Sequence, residues 1–435
     1  MEPTVAAVHE AISATRPDEE CLVFRDRRLT WAQVTDRTRR FASFLLDRGL
    51  GCHTERDHLG NHESGQDHLA VYLHNGNEYL EAMLGAFKAR VAPFNVNYRY
   101  IADELHYLLA DADATAVVVH SRFAPTLAEV LPSLPALRVV VQVADNSGNE
   151  LLPGAVWYEE ALATASPARP DGSWNPDDLY ILYTGGTTGM PKGVLWRNGD
   201  ANVECFGGSR AESLDGVVAE ATGALRALVA PPFMHGAGHW VSFRTWNTGG
   251  TVFVQDHPER LDPADIWSLV ERERINFLLI VGDAFARPLL DHLDEHPSIH
   301  DLSSLTVLLS GGAPLSASLK ERLLAHLPTL MIVDGLGSSE AGGQLSHVSV
   351  GSGATTGTFA AGPGNHVLSA ELDRLLAPGE PEARLAGQER AAGTRLPARP
   401  GQDGAHVPGG RRRALRRPRR PCPPAHRRQD RAARP

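Results

Sequence analysis

Short apolar strands alternate with amphipathic helices along most of this sequence. After His68 the alternation runs through four strands and the three helices between them, in the order LAVYL, NEYLEAMLGAFKA, APFNVN, ADELHYLLADA, AVVVH, APTLAEVLPSL and RVVVQV. Further strands are predicted up to about residue 350, near ALVAPPF, TVFVQ, FLLIVG, LTVLLSGG and MIVDGLG. Strands that alternate with helices in this way predict an α/β layered fold whose sheet is mostly parallel.

The segments that interrupt this pattern divide the chain into four predicted regions. A first α/β subdomain is expected at residues 1–175, and the Pro-, Gly- and Ser-rich stretch Ser166–Pro176 separates it from a second one at residues 176–355. Residues 356–380 are expected to begin a small β subdomain. The remaining residues, 381–435, form a segment of quite different composition.

That last segment contains fifteen Arg and four acidic residues but no Lys, Ile, Met or aromatic residue. Such a composition buries too little apolar surface to offset the entropy of ordering, so we predict that it is disordered. The whole chain has a formal charge of −10, and the residues before the tail therefore carry about −21. An acidic body argues against nucleic acid as the main partner.

Residues near the N-terminus predict two short strands at 21–31 and an amphipathic helix at Ala32–Arg48. The polar segment Cys52–His68 follows, and its His58 and His62 have the spacing of two metal ligands on a helix. Because this segment has two glycines and little hydrophobic periodicity, a solvated loop is the favoured interpretation.

The spacing of the cysteines and the lengths of the apolar runs indicate the cell compartment in which the protein is expected. The four cysteines are scattered without a CxxC pair, so neither a disulfide framework nor a structural zinc site is indicated. No basic region leads into an apolar stretch at the N-terminus, and no run of about 18 apolar residues occurs. We therefore expect a cytoplasmic protein without a membrane span. The sequence leaves open whether it forms a homo-oligomer.

The segment YILYTGGTTGMPKGVLW, Tyr180–Trp196, is the most informative part of the sequence. Its apolar strand is expected to run into a loop formed by Thr184, Gly185, Gly186, Thr187, Thr188 and Gly189. Glycine backbone N–H groups can approach an anion, threonine hydroxyls add donors, and Lys192 adds a positive charge. The order differs from the GxxxxGK[ST] loop of kinases and GTPases, because Met190 and Pro191 precede the lysine. A solvated hydroxyl-rich turn is the alternative interpretation.

The string TGGTTGMPKG resembles the phosphate loop of the adenylate-forming, AMP-binding enzymes, a superfamily that includes acyl-CoA synthetases, luciferases and peptide-synthetase adenylation domains. Three more segments follow in the order of that family, namely PPFMHGAGHW, LSGGAPLS and DGLGSSEAGG. The likeness covers roughly residues 20–380, and is strongest to bacterial acyl-CoA synthetases acting on fatty acids or steroid side-chain acids. It implies the family's N-terminal domain, built of two α/β layered subdomains.

The resemblance implies roles for individual residues. The nucleotide would be bound by Thr184, Gly185, Gly186, Thr187, Thr188, Gly189, Lys192, Gly311, Gly312, Ala313, Asp334, Gly335, Leu336, Gly337, Ser338 and Ser339. The catalytic residues would be Lys192, His235 and Glu340. Magnesium would be held by Glu340 and Thr188. The acyl pocket would include Phe233, His235, Trp240 and Gly282.

Several of these residues also have a purely structural interpretation. His235 alone could be a structural histidine, and Pro314 is placed to start a helix. Ser339 and Glu340 could begin a helix as its cap and first turn. Leu336 stands where many family members have an aromatic residue that stacks on adenine, so adenine contact there would be weaker or merely apolar.

The resemblance implies a two-step reaction that uses ATP, Mg²⁺ and coenzyme A. A carboxylate would attack the α-phosphate of ATP to give acyl-AMP, and the thiol of coenzyme A would then displace AMP. The family continues with a ribose-binding aspartate, a hinge and a C-terminal lid with a catalytic lysine. None of these is recognisable here, and no Lys follows Lys320. We therefore expect feeble adenylation and little thioester formation.

Three alternatives stay open. The chain could be a non-catalytic remnant that binds nucleotide or acyl group, or an acyl-AMP ligase that delivers to a carrier protein. A nucleic-acid-associated protein acting through the Arg-rich tail is disfavoured by the acidic body and by the absence of aromatic residues in that tail.

A frameshift near residue 382 would explain why the family likeness ends at ELDRLLAPGEPE. We predict that the other two frames of the encoding DNA contain a Lys-bearing stretch of roughly a hundred residues, a common domain size. Sequencing the gene from independent isolates checks this prediction. Lack of such a stretch in both frames would contradict it.

Overall fold

The predicted alternation of strands and helices is confirmed by a computed structural model. It describes residues 2–186, 189–211, 213–361, 365–369 and 373–377, together with two short strands further on. None of the helices in these ranges is long and apolar enough to cross a membrane. The polar segment after Cys52 is a loop with one short 3-10 helix, Arg56–His58, and both His58 and His62 are exposed.

Nineteen strands occur in the described residues and are numbered in chain order. They are β1 Glu20–Phe24, β2 Arg27–Thr30, β3 His68–Tyr72, β4 Ala92–Asn95, β5 Ala114–His120, β6 Val139–Val143, β7 Val156–Trp157, β8 Leu179–Gly186, β9 Gly189–Arg197, β10 Arg226–Val229, β11 Thr251–Val254, β12 Phe277–Ile280, β13 Val307–Gly311, β14 Met331–Ser338, β15 Gly342–Ser349, β16 Ala360–Ala361, β17 Asn365–Leu368, β18 Leu385–Gln388 and β19 Thr394–Arg395.

In the part of the chain that the structure describes, twelve α-helices connect or flank these strands. They are α1 Val5–Thr15, α2 Trp31–Asp47, α3 Asn77–Lys88, α4 Ala102–Asp111, α5 Ala124–Val130, α6 Tyr158–Thr164, α7 Asn198–Glu204, α8 Leu214–Glu220, α9 Gly236–Asn247, α10 Pro263–Arg272, α11 Gly282–Glu295 and α12 Ala317–His326. The predicted helix at 32–48 corresponds to α2, which begins with a capping box formed by Thr30 and Gln33.

The strands form two large sheets. One has nine strands in the order β16-β15-β14-β13-β12-β10-β11-β1-β2, and the other has eight in the order β19-β9-β8-β4-β3-β5-β6-β7. Pairing is parallel except at β1–β2, β14–β15 and β15–β16 in the first sheet and at β8–β9 and β9–β19 in the second. The α/β fold with mostly parallel sheets is therefore confirmed.

The two sheets do not divide the chain at the boundary predicted between residues 175 and 176. Strands β1 and β2, near the N-terminus, belong to the nine-stranded sheet, because β1 pairs in parallel with β11. Strands β8 and β9 lie beyond the boundary but belong to the eight-stranded sheet, because β8 pairs with β4. Strand pairing depends on contacts between distant segments, which a division by position along the chain does not capture.

Short strands also occur where the sequence predicted a small β subdomain and a disordered tail. Strand β17 pairs with β18 in a separate two-stranded sheet, and β19 adds to the edge of β9. The prediction of a disordered tail did not include β18 and β19, whose pairing uses backbone groups and needs few apolar side chains. The rest of residues 381–435 lies outside the described residues.

Helices cover both faces of each sheet, so the protein has five layers. A central core joins α1, α2, α3, α6 and α9 to the inner faces of both sheets. The outer face of the nine-stranded sheet packs on α10, α11 and α12, and that of the eight-stranded sheet packs on α4 and α5. Successive side chains of a strand point to opposite faces of the sheet, so each strand contributes to both cores. In β12, Leu278 and Ile280 face the outer helices and Leu279 faces the central core.

A buried ion pair ties three helices of the central layer together. Glu81 of α3 is fully buried and accepts two hydrogen bonds from the Arg37 guanidinium of α2, at 2.8 and 2.9 Å. The same carboxylate accepts from the Tyr158 hydroxyl of α6 at 3.0 Å. Arg37 also pairs with Glu159, which is 54% exposed.

Replacing Glu81 should destabilise the protein far more than replacing Glu159, although both pair with Arg37. Glu81→Ala leaves the buried Tyr158 hydroxyl without its acceptor and the largely buried Arg37 with only the exposed Glu159 as partner, at a cost of about 3 kcal/mol or more. Glu159→Ala removes a solvated carboxylate, at a cost of about 1 kcal/mol or less. Urea unfolding of the two variants checks this, and equal losses would contradict it.

A second buried polar group, His239 of α9, joins strand β8 to the segment after β10. Its Nδ1 lies 2.6 Å from the carbonyl oxygen of Phe233, and its Nε2 is hydrogen-bonded to the Tyr180 hydroxyl. The Trp240 indole donates to the same hydroxyl at 2.9 Å. Burial lowers the pKa of His239 to about 4, so the folded protein holds this ring neutral.

This histidine should make the protein sensitive to acid. Because its pKa is lower in the folded chain than the 6.5 of an unfolded one, the unfolded chain takes up the proton first as the pH falls. Up to about 3 kcal/mol of unfolding free energy should be lost between pH 6.5 and 4. His239→Gln should reduce that loss, and His296→Gln, at an exposed ring, should not. A parallel pH dependence in all three proteins would contradict the assignment.

Candidate functional site

The predicted phosphate-binding segment forms a β-hairpin where the sequence predicted a strand followed by a loop. Strand β8 continues to Gly186, and β9 starts at Gly189, so Thr184 pairs with Lys192 and Gly186 with Gly189. Thr187 and Thr188, also predicted to bind the nucleotide, lie outside the described residues. The strand extends further than predicted because antiparallel pairing with β9 satisfies its backbone groups. We call residues 184–192 the phosphate hairpin.

Two buried asparagines hold the segment Pro231–His235, which follows β10. The Asn75 amide donates to the carbonyl of Pro231 at 2.9 Å and accepts from the backbone N–H of Phe233 at 2.6 Å. The Asn95 amide donates to the carbonyl of Met234 at 2.7 Å. Asn95 is the last residue of β4, and Asn75 lies three residues beyond the end of β3. An asparagine at or just beyond the carboxyl end of a parallel strand is the sequence signal that would have indicated both.

His235 and Phe233 occupy different environments at the ends of this segment. His235 is the N-cap residue of α9 and reaches solvent, whereas Phe233 is fully buried and packs edge-on against Tyr79, with ring centroids 5.5 Å apart. Partial burial and then the charge of Arg99 lower the pKa of His235. The half-buried Trp240 packs over Gly236, where an added Cβ would lie 3.2 Å from its ring.

The predicted adenine segment packs on the start of α11. Gly282 has φ +54°, and a Cβ there would lie 2.5 Å from the carbonyl oxygen of Pro314 and 2.9 Å from Ala313. Gly282 thus lies against the predicted adenine turn. The Asp283 carboxylate accepts from the backbone N–H of Ser316 at 2.7 Å. Helix α12 begins at Ala317 with Ser316 as N-cap, so Pro314 lies in the turn and does not start the helix.

The two predicted adenine-binding segments lie side by side. Strands β13 and β14 are parallel neighbours in which Gly311 pairs with Gly335. A Cβ on Gly311 would lie 3.5 Å from the carbonyl oxygen of Gly335. Leu336 is 39% exposed, as expected for an apolar surface that a ligand could cover. Gly312 has φ +83°, where glycine is favoured.

Asp334 has a structural partner that the sequence did not predict. Its carboxylate is buried and forms an ion pair with Nζ of Lys320, from α12. The same ammonium donates to the carbonyl of Thr355 at 2.6 Å. Asp334 therefore anchors the strand that carries Gly335 and Leu336 to the helix that follows the adenine turn.

Ser339 and Glu340 lie in a turn between two antiparallel strands. Strand β14 ends at Ser338 and β15 begins at Gly342, so the alternative in which these residues cap a helix is wrong. The Trp196 indole N–H, from β9, donates to the carbonyl of Ser339 at 2.8 Å. This bond brings the predicted magnesium turn against the strand of the phosphate hairpin. Trp196 belongs to the quoted motif, but the sequence did not indicate this role.

A cleft of about 1210 Å³ opens between the ends of β1 and β11 of the nine-stranded sheet and those of β3, β5 and β6 of the eight-stranded sheet. None of the predicted nucleotide or acyl residues lines it. Asn75 both lines the cleft and holds the Pro231–His235 segment. The predicted site is therefore defined by the contacts between its segments and not by the cleft.

Comparison with known proteins places these segments in a family. The family described as AMP-binding enzyme matches residues 9–385. The medium-chain acyl-CoA ligase Mig of Mycobacterium avium is 50% identical over 384 residues, covering 86% of this chain and 70% of the relative. A 3-oxocholest-4-en-26-oate–CoA ligase of Rhodococcus rhodochrous is 37% identical, and the match covers 75% of this chain and 58% of the relative.

Solved structures agree on the fold. An anthranilate CoA ligase in complex with anthranoyl-AMP superimposes with a TM-score of 0.72 at 19% identity, covering 90% of this chain and 71% of that one. The fold predicted from the resemblance is therefore confirmed. The match of 377 residues to the family, and the half-identical ligase, show that this chain belongs to the AMP-binding enzyme family.

Proposed function

We propose that this chain converts a carboxylic acid and ATP into acyl-AMP, and then transfers the acyl group to coenzyme A. AMP-binding acyl-CoA ligases use ATP, Mg²⁺ and coenzyme A. The observation that carries the proposal is the Trp196–Ser339 hydrogen bond, which holds the Ser339–Glu340 turn against the phosphate hairpin. The name of the half-identical relative favours a medium-chain fatty acid, and the other relatives support a steroid side-chain acid as the second candidate.

The proposed phosphate site combines donors and charge from two hairpins. Backbone N–H groups of the phosphate hairpin and Lys192 would bind the phosphates, and the Ser339 hydroxyl would add a donor. Glu340 would hold Mg²⁺, because a hard cation prefers carboxylate oxygen and commonly takes one or two carboxylates besides the substrate phosphates. The bound Mg²⁺ offsets negative charge on those phosphates.

The chemistry needs no nucleophile from the protein. A carboxylate oxygen of the acid bonds to the α-phosphorus of ATP, and the bond to pyrophosphate breaks. The thiol of coenzyme A then bonds to the acyl carbon, releases AMP and loses its proton. The protein's part is to orient the acid and ATP and to stabilise charge, the main means of accelerating such transfers.

The acyl group would enter beside His235 and Trp240. A lowered pKa keeps the His235 ring neutral near neutral pH, so it can hydrogen-bond to the acid without adding a charge. Next to it, buried rings pack in pairs: Phe233 and His239 each pack on Tyr79, and His239 also packs on Tyr180. These packed rings would limit how deeply a long chain can reach.

The matched relatives extend beyond the matched part of this chain, which spans 70% of the first and 58% of the second. No Lys follows Lys320 in this sequence. A reaction of these 435 residues alone would therefore proceed without a lysine from that part of the chain, and losing one positioned charge at a reacting centre costs about two to three orders of magnitude. For these residues assayed alone, we infer a slow first step and a slower second one. A non-catalytic binding remnant, or an acyl-AMP ligase acting with a carrier protein, would be the alternative.

Incubation of the full chain with ATP, Mg²⁺, coenzyme A and a panel of fatty and steroid acids tests the proposal. Mass spectrometry should detect acyl-AMP above acyl-CoA, with medium-chain acids giving the most. Lys192→Ala should lower acyl-AMP formation by about two to three orders of magnitude. Arg260→Ala, which removes an exposed cation outside the site, should leave it unchanged.

Acyl-CoA formation at ordinary enzyme rates would contradict the inferred loss of activity. Binding of ATP without either product would favour the remnant. Acyl-AMP that is transferred to a carrier protein but not to coenzyme A would favour the acyl-AMP ligase.

A further inference from the structure

Asn95, the last residue of β4, bonds to two segments of the candidate site at once. Its side-chain amide donates to the carbonyl of Tyr183 at 2.8 Å and accepts from the Tyr183 backbone N–H at 2.9 Å. It also donates to the carbonyl of Met234 at 2.7 Å. The side chain is buried, and these three bonds use both of its N–H donors and its carbonyl oxygen.

Each of the two residues that Asn95 bonds lies next to a segment of the candidate site. Tyr183 immediately precedes Thr184, the first residue of the phosphate hairpin, and Met234 immediately precedes His235. Strands β4 and β8 pair through Phe94 and Ile181. Near the carboxyl ends of these strands, the Asn95 side-chain amide both donates to and accepts from the Tyr183 backbone, as the backbone of a paired strand residue would. Its second N–H bonds to Met234, in the segment that follows β10 of the nine-stranded sheet.

Asn75 provides a contrast within the same structure. It makes two hydrogen bonds to the Pro231–His235 segment, at Pro231 and Phe233, and so fastens that segment to the end of β3. Neither of these two bonds reaches the phosphate hairpin. Both asparagines therefore bond to the Pro231–His235 segment, but only the bonds of Asn95 also join that segment to the residue before the phosphate hairpin.

We propose that Asn95 is a positioning residue that fixes the acyl-side segment relative to the phosphate hairpin, and so aligns the carboxylate with the α-phosphate of ATP. This inference rests on the proposed function. Each segment has other supports, namely the β8–β9 pairing for the hairpin and Asn75 for the acyl side. Removing the Asn95 amide should therefore leave both half-sites formed but loosely aligned, and a misplacement of about 1 Å costs roughly a hundredfold in such reactions.

Binding measurements on the full chain can separate alignment from simple loss of structure. Three ligands are titrated in a calorimeter: AMP, decanoate, and a non-hydrolysable decanoyl sulfamoyl adenosine that joins the two halves. In Asn95→Ala the Kd of AMP and of decanoate should each change by less than about threefold. The joined analogue spans both half-sites at fixed geometry, so its Kd should rise by about tenfold or more.

Two further variants control the measurement. Asn95→Asp keeps the shape and the acceptor for the Tyr183 N–H but loses both donors, so it should also weaken the joined analogue selectively. Asn75→Ala loosens the acyl side without touching the hairpin, so it should raise the Kd of decanoate and of the analogue by the same factor. Melting temperatures of all variants are recorded to confirm that they fold.

Three results would overturn the inference. The first is an Asn95→Ala protein that binds the analogue within threefold of wild type. The second is a rise of all three Kd values together with a lower melting temperature, which marks a structural role only. The third is the same selective loss in Asn75→Ala. If the wild-type chain binds none of the ligands, the proposed function fails, and this inference fails with it.

Discussion

Parallel pairing of strands that are far apart in sequence is the constraint on which the rest of this structure depends. Because both faces of each sheet are covered by helices, loops can gather only at the strand ends. The segments assigned to nucleotide and acid lie at or just beyond the carboxyl ends of β8, β10, β12, β13 and β14, and open α/β sheets bind ligands at those ends. The site is thus a consequence of the order of strands, and it draws on both sheets.

A small number of buried polar side chains hold these loops against one another. Asn75 and Asn95 fasten the segment before His235, Trp196 fastens the Ser339–Glu340 turn, and the Lys320–Asp334 pair joins α12 to β14. Each of these groups would be costly to leave unsatisfied in the interior, so each one specifies a single arrangement of the segments it joins. Apolar packing holds the layers of helices and sheets together, and the buried polar groups fix how the loops at the strand ends lie against one another.

The local sequence pattern predicted where strands and helices lie, but not where each one ends or which strands pair. Strands β3 to β6 and helices α3 to α5 are where the alternation predicted them. The phosphate segment was expected to leave its strand at Tyr183, yet antiparallel pairing carries β8 to Gly186. Ser339 could have capped a helix on local grounds, but β15 pairs back along β14 and makes it a turn residue. In each case a partner distant in sequence supplied the missing hydrogen bonds.

The sequence by itself determined the layered α/β class, the family and the segments proposed for the site, because hydrophobic period and motif are properties of short stretches. Tertiary structure alone decided that β1 and β2 join the sheet of the second region, that Asp334 is used in an ion pair, and that Asn95 lies between hairpin and acyl segment. These outcomes depend on which distant groups meet, and a buried hydrogen bond or ion pair gains its energy only when both partners are brought together out of water.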